Sequence, residues 1–144
     1  MKIEEIYEFW DVDCKIDRTE LGSEATKIPQ LHNKYFKVYS KERLIIKQLQ
    51  EKRKQLKLLK FEYYSGSLDQ ETLEEKGWVP NRKKIIRSDL DMYIEADQDM
   101  VDINLRIAMQ QEKLDLLESI IKSLNSRGFE LSSAIKWEQF RNGG

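Results

Sequence analysis

Hydrophobic residues follow helical spacing in two long stretches of the chain. In the first stretch, alternating steps of four and three residues from Leu31 to Tyr63 land on apolar side chains at eight of ten positions. This spacing collects the apolar side chains on one face of an α-helix. The second stretch is more regular, because the same steps from Tyr93 to Leu124 meet apolar residues at nine of ten positions. The pattern predicts two long amphipathic helices.

Local signals suggest where the first helix begins and ends. Asp17 is followed three residues later by Glu20, the spacing of a capping box, so a start near residue 18 is expected. Pro29 lacks an amide hydrogen and predicts a kink or break. Ser65-Gly66-Ser67 is the first turn sequence for some distance. We therefore expect a basic helical half over about residues 16–64.

The second helix has its own boundary signals. Ser88 is a candidate N-cap, and Gly128 stands where a left-handed C-terminal cap would end the helix. An acidic long helix is thus expected over about residues 88–127. A polar connector, about 65–87, precedes it and carries a short extended piece at 84–87. A C-terminal aromatic helix, about 129–141, follows it.

The predicted fold class is all-α. Residues 1–144 form a single, mostly helical domain, with two long amphipathic helices joined by the polar connector and short helices at both ends. We call the apolar face of each long helix its seam. Two seams of this length cannot both be enclosed in one small core, so part of them is expected to face other copies of the chain. The candidate oligomerisation residues are Tyr93, Met100, Ile103, Ile107, Leu114, Leu117, Ile121, Leu124, Phe129, Trp137 and Phe140.

The composition excludes most catalytic chemistry. One cysteine and one histidine supply neither an intrachain disulfide nor a Cys/His metal cluster, and the six glycines form no nucleotide-binding loop. We expect no enzyme activity, no cofactor and no metal. Pairs of acids such as Asp97 and Asp99 are assigned to surface solvation. No signal peptide or membrane span is evident, so we expect a cytosolic protein with no membrane partner.

Charge is strongly polarised although the formal net charge is only −1. Residues 41–60 hold eight cations against two acids, whereas residues 88–118 hold nine acids against two cations. In the predicted register, one group of cations lies on the side of the first helix away from the seam, as a basic stripe. Its members are Arg43, Lys47, Arg53, Lys54, Lys57 and Lys60.

Two interpretations of this stripe remain open. Phe61, Tyr63 and Tyr64 lie beside it, and aromatic rings next to cations are typical of proteins that bind single-stranded nucleic acid. The alternative is that the stripe pairs with the acidic helix in a structural assembly. Cations of the connector would join the stripe if the long helices form a hairpin, namely Arg82, Lys83, Lys84 and Arg87.

Three strings add a resemblance to this picture: IDRTEL at 16–21, FEYYSG at 61–66 and SLNSRGFELSSAIKWEQF at 123–140. In their combined order they resemble the UvsY recombination mediator proteins of T-even-like bacteriophages. The resemblance runs through most of the chain and diverges in the connector. It implies a helical protein that forms a homo-oligomeric ring, a hexamer or heptamer, and binds single-stranded DNA in the cytoplasm of the infected bacterial host.

The same resemblance implies protein partners and a DNA-binding position. The partners are a RecA-like phage recombinase and the phage single-stranded DNA-binding protein, from which the recombinase takes over the DNA. Of a basic pair in the family, the second residue corresponds to Lys60, whereas the first corresponds to Leu58, which is not basic. Lys57 is a candidate replacement, and Tyr64 a candidate for base stacking. An adaptor or structural oligomer that binds only proteins is the alternative.

Overall fold

The protein is all-α, as predicted. The computed structural model describes residues 1–143, and these contain helices and no strand. The order is α1 (Ile3–Asp13), α2 (Leu21–Ser65), α3 (Gln70–Lys76), a short 3-10 helix (Arg87–Asp89), α4 (Leu90–Ala96) and α5 (Gln98–Arg141). Two of these helices, α2 and α5, are far longer than the rest.

Helix α2 begins later than expected and continues through its proline. The carboxylate of Asp17 accepts hydrogen bonds from the amide and hydroxyl of Thr19, at 2.9 and 2.6 Å, so a local turn uses the predicted cap. The prediction of a break at Pro29 is wrong, because tertiary packing around the helix outweighs one missing hydrogen bond. The predicted end is confirmed to within a residue: Gly66 follows the helix with φ +79°, a left-handed conformation that favours glycine.

Helix α5 departs from the prediction at both ends. It begins after Asp97, whose carboxylate accepts a hydrogen bond from the Asp99 amide at 2.9 Å and so acts as a helix cap. The segment from residue 88 therefore forms the 3-10 helix and α4 instead of the first turns of one helix. The predicted end at Gly128 is wrong. Arg127 and Leu131 are buried on either side of it, and their packing keeps the chain helical.

The connector holds a helix that was not predicted, and the prediction for the C-terminus fails. The connector contains α3, which ends at Gly77 with φ +68°, and within the expected extended piece at 84–87 the backbone of Ile86 is extended, with φ −65° and ψ 142°. The aromatic segment at 129–141 is the last part of α5 and not a separate helix.

The described chain divides into two compact units. The first comprises Met1–Leu44 together with the segment from Gln111 onward. Its core contains five buried side chains, and Tyr35 meets the half-buried Trp10 edge to face, with ring centroids 5.6 Å apart. The buried members are Ile6, Tyr35, Leu117, Ile120 and Leu124.

Buried polar groups in the first unit are satisfied by ion pairs. Asp13 contacts the amine of Lys34 at 2.6 Å and accepts a hydrogen bond from the hydroxyl of Tyr35 at 2.7 Å. Glu42 is 2% exposed and lies 3.2 Å from the N-terminal amine and 3.6 Å from Lys113. These contacts anchor α1 and α5 to α2 within this unit.

The second unit comprises Ile45–Gln110 and has a smaller core. Leu90, Ile94 and Met100 are buried, and Leu56, Tyr64 and Ile85 pack against them. The connector is therefore part of this unit, because Ile85 reaches its core.

In the second unit, the seam of α2 keeps the predicted Leu49 and Leu56 but departs from the prediction at its first position. Ile46 is 5% exposed, whereas the predicted Ile45 is 39% exposed. A shift of one residue rotates a side chain by about 100° around a helix. Arg53 and Lys60 lie within about 40° of the buried Leu49 around the helix, so they also face inward, away from the predicted stripe.

Several residues proposed for oligomerisation are core residues of a single chain. Met100, Ile103, Leu114, Leu117 and Leu124 are buried, and Tyr93, Ile107 and Ile121 are half-buried. Packing within the chain therefore encloses most of the α5 seam. In contrast, Phe129, Trp137 and Phe140 are 78%, 59% and 73% exposed.

Candidate nucleic-acid interface

One side of α2 in the second unit carries exposed cations next to exposed apolar groups. Lys47, Lys54, Leu58 and Phe61 fall within about 60° of one another around the helix axis. The side chain of Lys54 is 71% exposed, and Leu58 and Phe61 are 60% and 42% exposed. We call these four residues the outer row of α2. The row combines positive charge with a solvent-accessible ring, the two features that a single strand requires.

Two cations of the predicted stripe are ion-paired at the edge of this row. Arg53 contacts Glu95 at 2.9 Å and donates a hydrogen bond to the side chain of Asn104 at 2.6 Å. Lys57 lies 3.7 Å from the same Glu95, and its side chain is 42% exposed. Charge pairing with the acidic segment, the alternative interpretation of the stripe, is thus confirmed for these residues. Lys57 remains accessible to solvent.

Lys60 is buried, although the resemblance implied a DNA contact there. It is 4% exposed, and its amine lies 3.2 Å from Asp97 and 2.9 Å from Asp99. The ring of Trp78 covers the amine, with 3.8 Å between the nitrogen and the ring centroid. Because carboxylates and an aromatic face surround this cation, it presents no open donor to a phosphate in this structure.

Asp97 is held in its charged form by this arrangement. Partial burial by itself raises the pKa of the carboxyl, but hydrogen bonds from Tyr64 and Lys60 outweigh burial and lower the pKa below its ordinary value of 3.8. The Tyr64 hydroxyl donates to Asp97 at 2.6 Å, and burial together with this bond raises the pKa of Tyr64. Tyr64 is therefore engaged inside the unit, and Phe61 is the exposed aromatic residue of the outer row.

The connector is fixed against the end of α2. Tyr63 packs on Trp78 with ring centroids 5.4 Å apart, and its hydroxyl donates to the carbonyl of Val79. The side-chain amide of Asn81 donates to the carbonyl of Tyr64 at 3.0 Å. The exposed cations that follow are Arg82, Lys83, Lys84 and Arg87, and Lys83 donates to the hydroxyl of Tyr93 at 2.6 Å.

The remaining stripe residue, Arg43, lies in the first unit. It is exposed, and its guanidinium carbon is 5.4 Å from the centroid of the Tyr39 ring. Sequence reasoning missed Trp78 and assigned Asp97 and Asp99 to solvation, although both acids hold Lys60. The sequence signal that could have found this arrangement is spacing, because Lys60 lies about 20° around the helix from Leu49, a predicted seam residue that is buried.

Comparison with known proteins identifies the family. Residues 9–144 match the family model described as "Recombination, repair and ssDNA binding protein UvsY". The chain belongs to the UvsY family. A search of curated proteins found no match. Membership in the UvsY family confirms the resemblance carried by the three sequence strings.

Solved structures show the same fold as this UvsY-family chain. One crystal structure of the bacteriophage T4 recombination mediator protein UvsY, lattice type II, matches with a TM-score of 0.86 and 21% identity, covering 99% of this chain and 98% of that one. The lattice type IV structure also gives 0.86 and 21%, covering 97% and 99%. Within residues 1–143, none of the helices has the length and hydropathy to cross a bilayer.

Proposed function

We propose that this chain is a recombination mediator that binds single-stranded DNA as a homo-oligomeric ring, a hexamer or heptamer. It promotes loading of a RecA-like phage recombinase onto DNA coated with single-stranded DNA-binding protein. This activity serves homologous recombination, repair and recombination-dependent replication in the cytoplasm of the host. The observation that carries the proposal is the outer row of α2, where cations lie beside the exposed aromatic side chain of Phe61, in a member of the UvsY family.

The DNA-binding surface that we propose is narrower than the predicted stripe. Lys47 and Lys54 on the outer row contact phosphates, Lys57 contributes at its edge, and Phe61 stacks on a base. The exposed connector cations Arg82, Lys84 and Arg87 extend the surface. Each cation that neutralises a phosphate releases counterions, so binding falls as salt rises.

Oligomerisation multiplies these few contacts. A single subunit offers a modest number of cations, whereas linked subunits hold one strand at high effective concentration. The exposed aromatic residues at the end of α5, Phe129, Trp137 and Phe140, are the surface that we propose joins the subunits.

Loading the recombinase then requires no chemistry. A strand held on the ring is held less tightly by a competing DNA-binding protein, and the same assembly docks the recombinase. The protein acts by binding and is not an enzyme.

Fluorescence anisotropy of a labelled single-stranded oligonucleotide, titrated at several salt concentrations, tests the proposal. We expect tight binding that weakens steeply with salt and prefers the single strand over a duplex of equal length. The Lys47→Glu/Lys54→Glu variant should lose this affinity while sedimentation shows unchanged assembly. Lys41→Glu/Lys52→Glu makes the same charge change at exposed positions about 120° and 140° around the helix from Lys47; it is the matched control and should lose far less.

A helical adaptor that binds only proteins is the second candidate. The observation that favours it is the pairing of Arg53, Lys57 and Lys60 with acidic residues, since these cations serve the fold. A folded chain that captures the recombinase in solution but binds no DNA at low salt would establish the adaptor and refute the mediator.

A further inference from the structure

Lys60 is enclosed more completely than the other cations of the predicted stripe. Its side chain is 5% exposed, against 29% for Arg53, 42% for Lys57 and 71% for Lys54. Two carboxylates, Asp97 and Asp99, lie within 3.2 Å of its amine. A buried cation needs such partners, because its water shell is lost on burial.

Lys60 and its partners come from three segments of the second unit. Lys60 itself belongs to α2. Asp97 caps α5 and Asp99 lies in the first turn of that helix. Trp78 belongs to the connector, and its ring covers the Lys60 amine. The single ammonium group thus joins the end of α2, the start of α5 and the connector.

Further contacts link Trp78 to the part of the connector that carries the exposed cations. Trp78 also meets Tyr63, and Asn81 donates to the carbonyl of Tyr64. The next residue, Arg82, is the first of the four exposed cations at positions 82–87. Holding Trp78 in place therefore restricts the conformational freedom of the segment that carries these cations.

A phosphate contact by Lys60 would conflict with this packing. A phosphate would have to displace two carboxylates and the Trp78 ring, and would leave Asp97, whose side chain is only 10% exposed, without its cation. A phosphate contact would thus replace two ion pairs that the fold already makes.

We infer that Lys60 is a positioning residue for the DNA-binding surface: it ties Trp78 to Asp97 and Asp99, so that the connector cations are held in place, and does not itself contact DNA. The inference rests on the proposed binding of single-stranded DNA.

The decisive experiment removes the two acids and follows the sign of the change in DNA affinity. Asparagine at position 97 keeps the helix cap, so the Asp97→Asn/Asp99→Asn variant loses the ion pairs without losing the start of α5. If Lys60 positions the connector, this variant binds single-stranded DNA about tenfold more weakly, although it carries two fewer negative charges. If the acids only compete with phosphate for Lys60, the variant binds more tightly, and the inference is overturned.

Asp91→Asn/Asp102→Asn is the matched control, because it makes the same charge change at two exposed positions of the same unit. We expect its affinity to equal or slightly exceed that of the wild type. Unchanged affinity in the Asp97→Asn/Asp99→Asn variant would overturn the inference as well.

Amide hydrogen exchange separates positioning from a general role in stability. Exchange should rise in residues 78–86 of the Asp97→Asn/Asp99→Asn variant and of Lys60→Met, and stay at the wild-type rate in the core of the first unit. A rise in both units alike would assign Lys60 to overall stability and contradict the inference. If the wild type binds no DNA, the proposed function fails, whereas the exchange result still decides whether Lys60 holds the connector.

Discussion

The environments of two lysines on α2 show how local contacts decide the role of a charge. Lys54 and Lys60 lie six residues apart on one helix, yet one is 71% exposed and the other 5%. Lys54 pairs only with Glu51 one turn away, an exposed contact that contributes little to stability. Its charge is free to meet a phosphate. Lys60 instead compensates the carboxylate of Asp97, whose side chain is 10% exposed, so its removal is expected to destabilise the second unit.

Phe61 is the residue for which base stacking predicts the clearest effect. Its ring is 42% exposed beside the cations of the outer row. Base–aromatic stacking contributes about 1–3 kcal/mol per base, so Phe61→Ala should weaken single-strand binding by about fivefold or more. Anisotropy titration measures this change. Leu58→Ala is the control, since Leu58 is exposed on the same row but has no ring. An equal loss in both variants would argue against stacking.

The lowered pKa of Asp97 predicts how stability depends on pH. A carboxyl whose pKa is lower in the folded than in the unfolded state contributes stability above its ordinary value of 3.8. That contribution is lost as the pH falls through the lower folded-state pKa. Urea unfolding between about pH 5 and pH 2 should therefore show a steeper loss of stability for the wild type than for Asp97→Asn. Asp102→Asn, at an exposed site, should follow the wild type, and a flatter curve for it would show that the effect is not local.

At the scale of elements, helical periodicity predicted the long helices and the register of α5, but not the full register of α2. Both Ile45 and Ile46 are apolar, and a step of either three or four residues from Glu42 fits the sequence. Tertiary packing selected Ile46, since the inward cations then meet Glu95, Asp97 and Asp99. The choice depends on residues some forty positions away, which local spacing does not contain.

Two glycines in opposite settings test the helix boundaries. Gly128 lies inside α5, and a Cβ there would meet no atom within 4 Å beyond its immediate neighbours and its own helix backbone. Gly128→Ala should therefore stabilise the protein by about 0.5–1 kcal/mol. Gly66 follows α2 with φ +79°, so Gly66→Ala should destabilise it by about 1 kcal/mol. Urea unfolding measures both changes. Loss of stability in Gly128→Ala would contradict a continuous α5.

At the scale of the whole molecule, the polarised charge and the family strings carried most of the functional interpretation. The sequence placed the basic segment correctly on α2, whereas the acidic segment is divided among the 3-10 helix, α4 and α5. It did not show how many cations would be neutralised within the chain, because ion pairing depends on side-chain contacts. It also predicted more free apolar surface along α5 than exists, since Met100, Leu117 and similar residues fill the core of one chain.

The exposed end of α5 makes assembly the last property to test. Trp137 and Phe140 stack with ring centroids 5.7 Å apart and are 59% and 73% exposed, which leaves an aromatic surface without a partner in the described chain. The Trp137→Ser/Phe140→Ser variant should sediment as a smaller species and bind single-stranded DNA at least about a hundredfold more weakly, because linked sites become single ones. Val12→Ser, at an equally exposed apolar position on α1, should change neither property. If the double variant keeps its size but loses DNA affinity, the aromatic pair contacts DNA directly. If it keeps both, the subunits are joined by another surface.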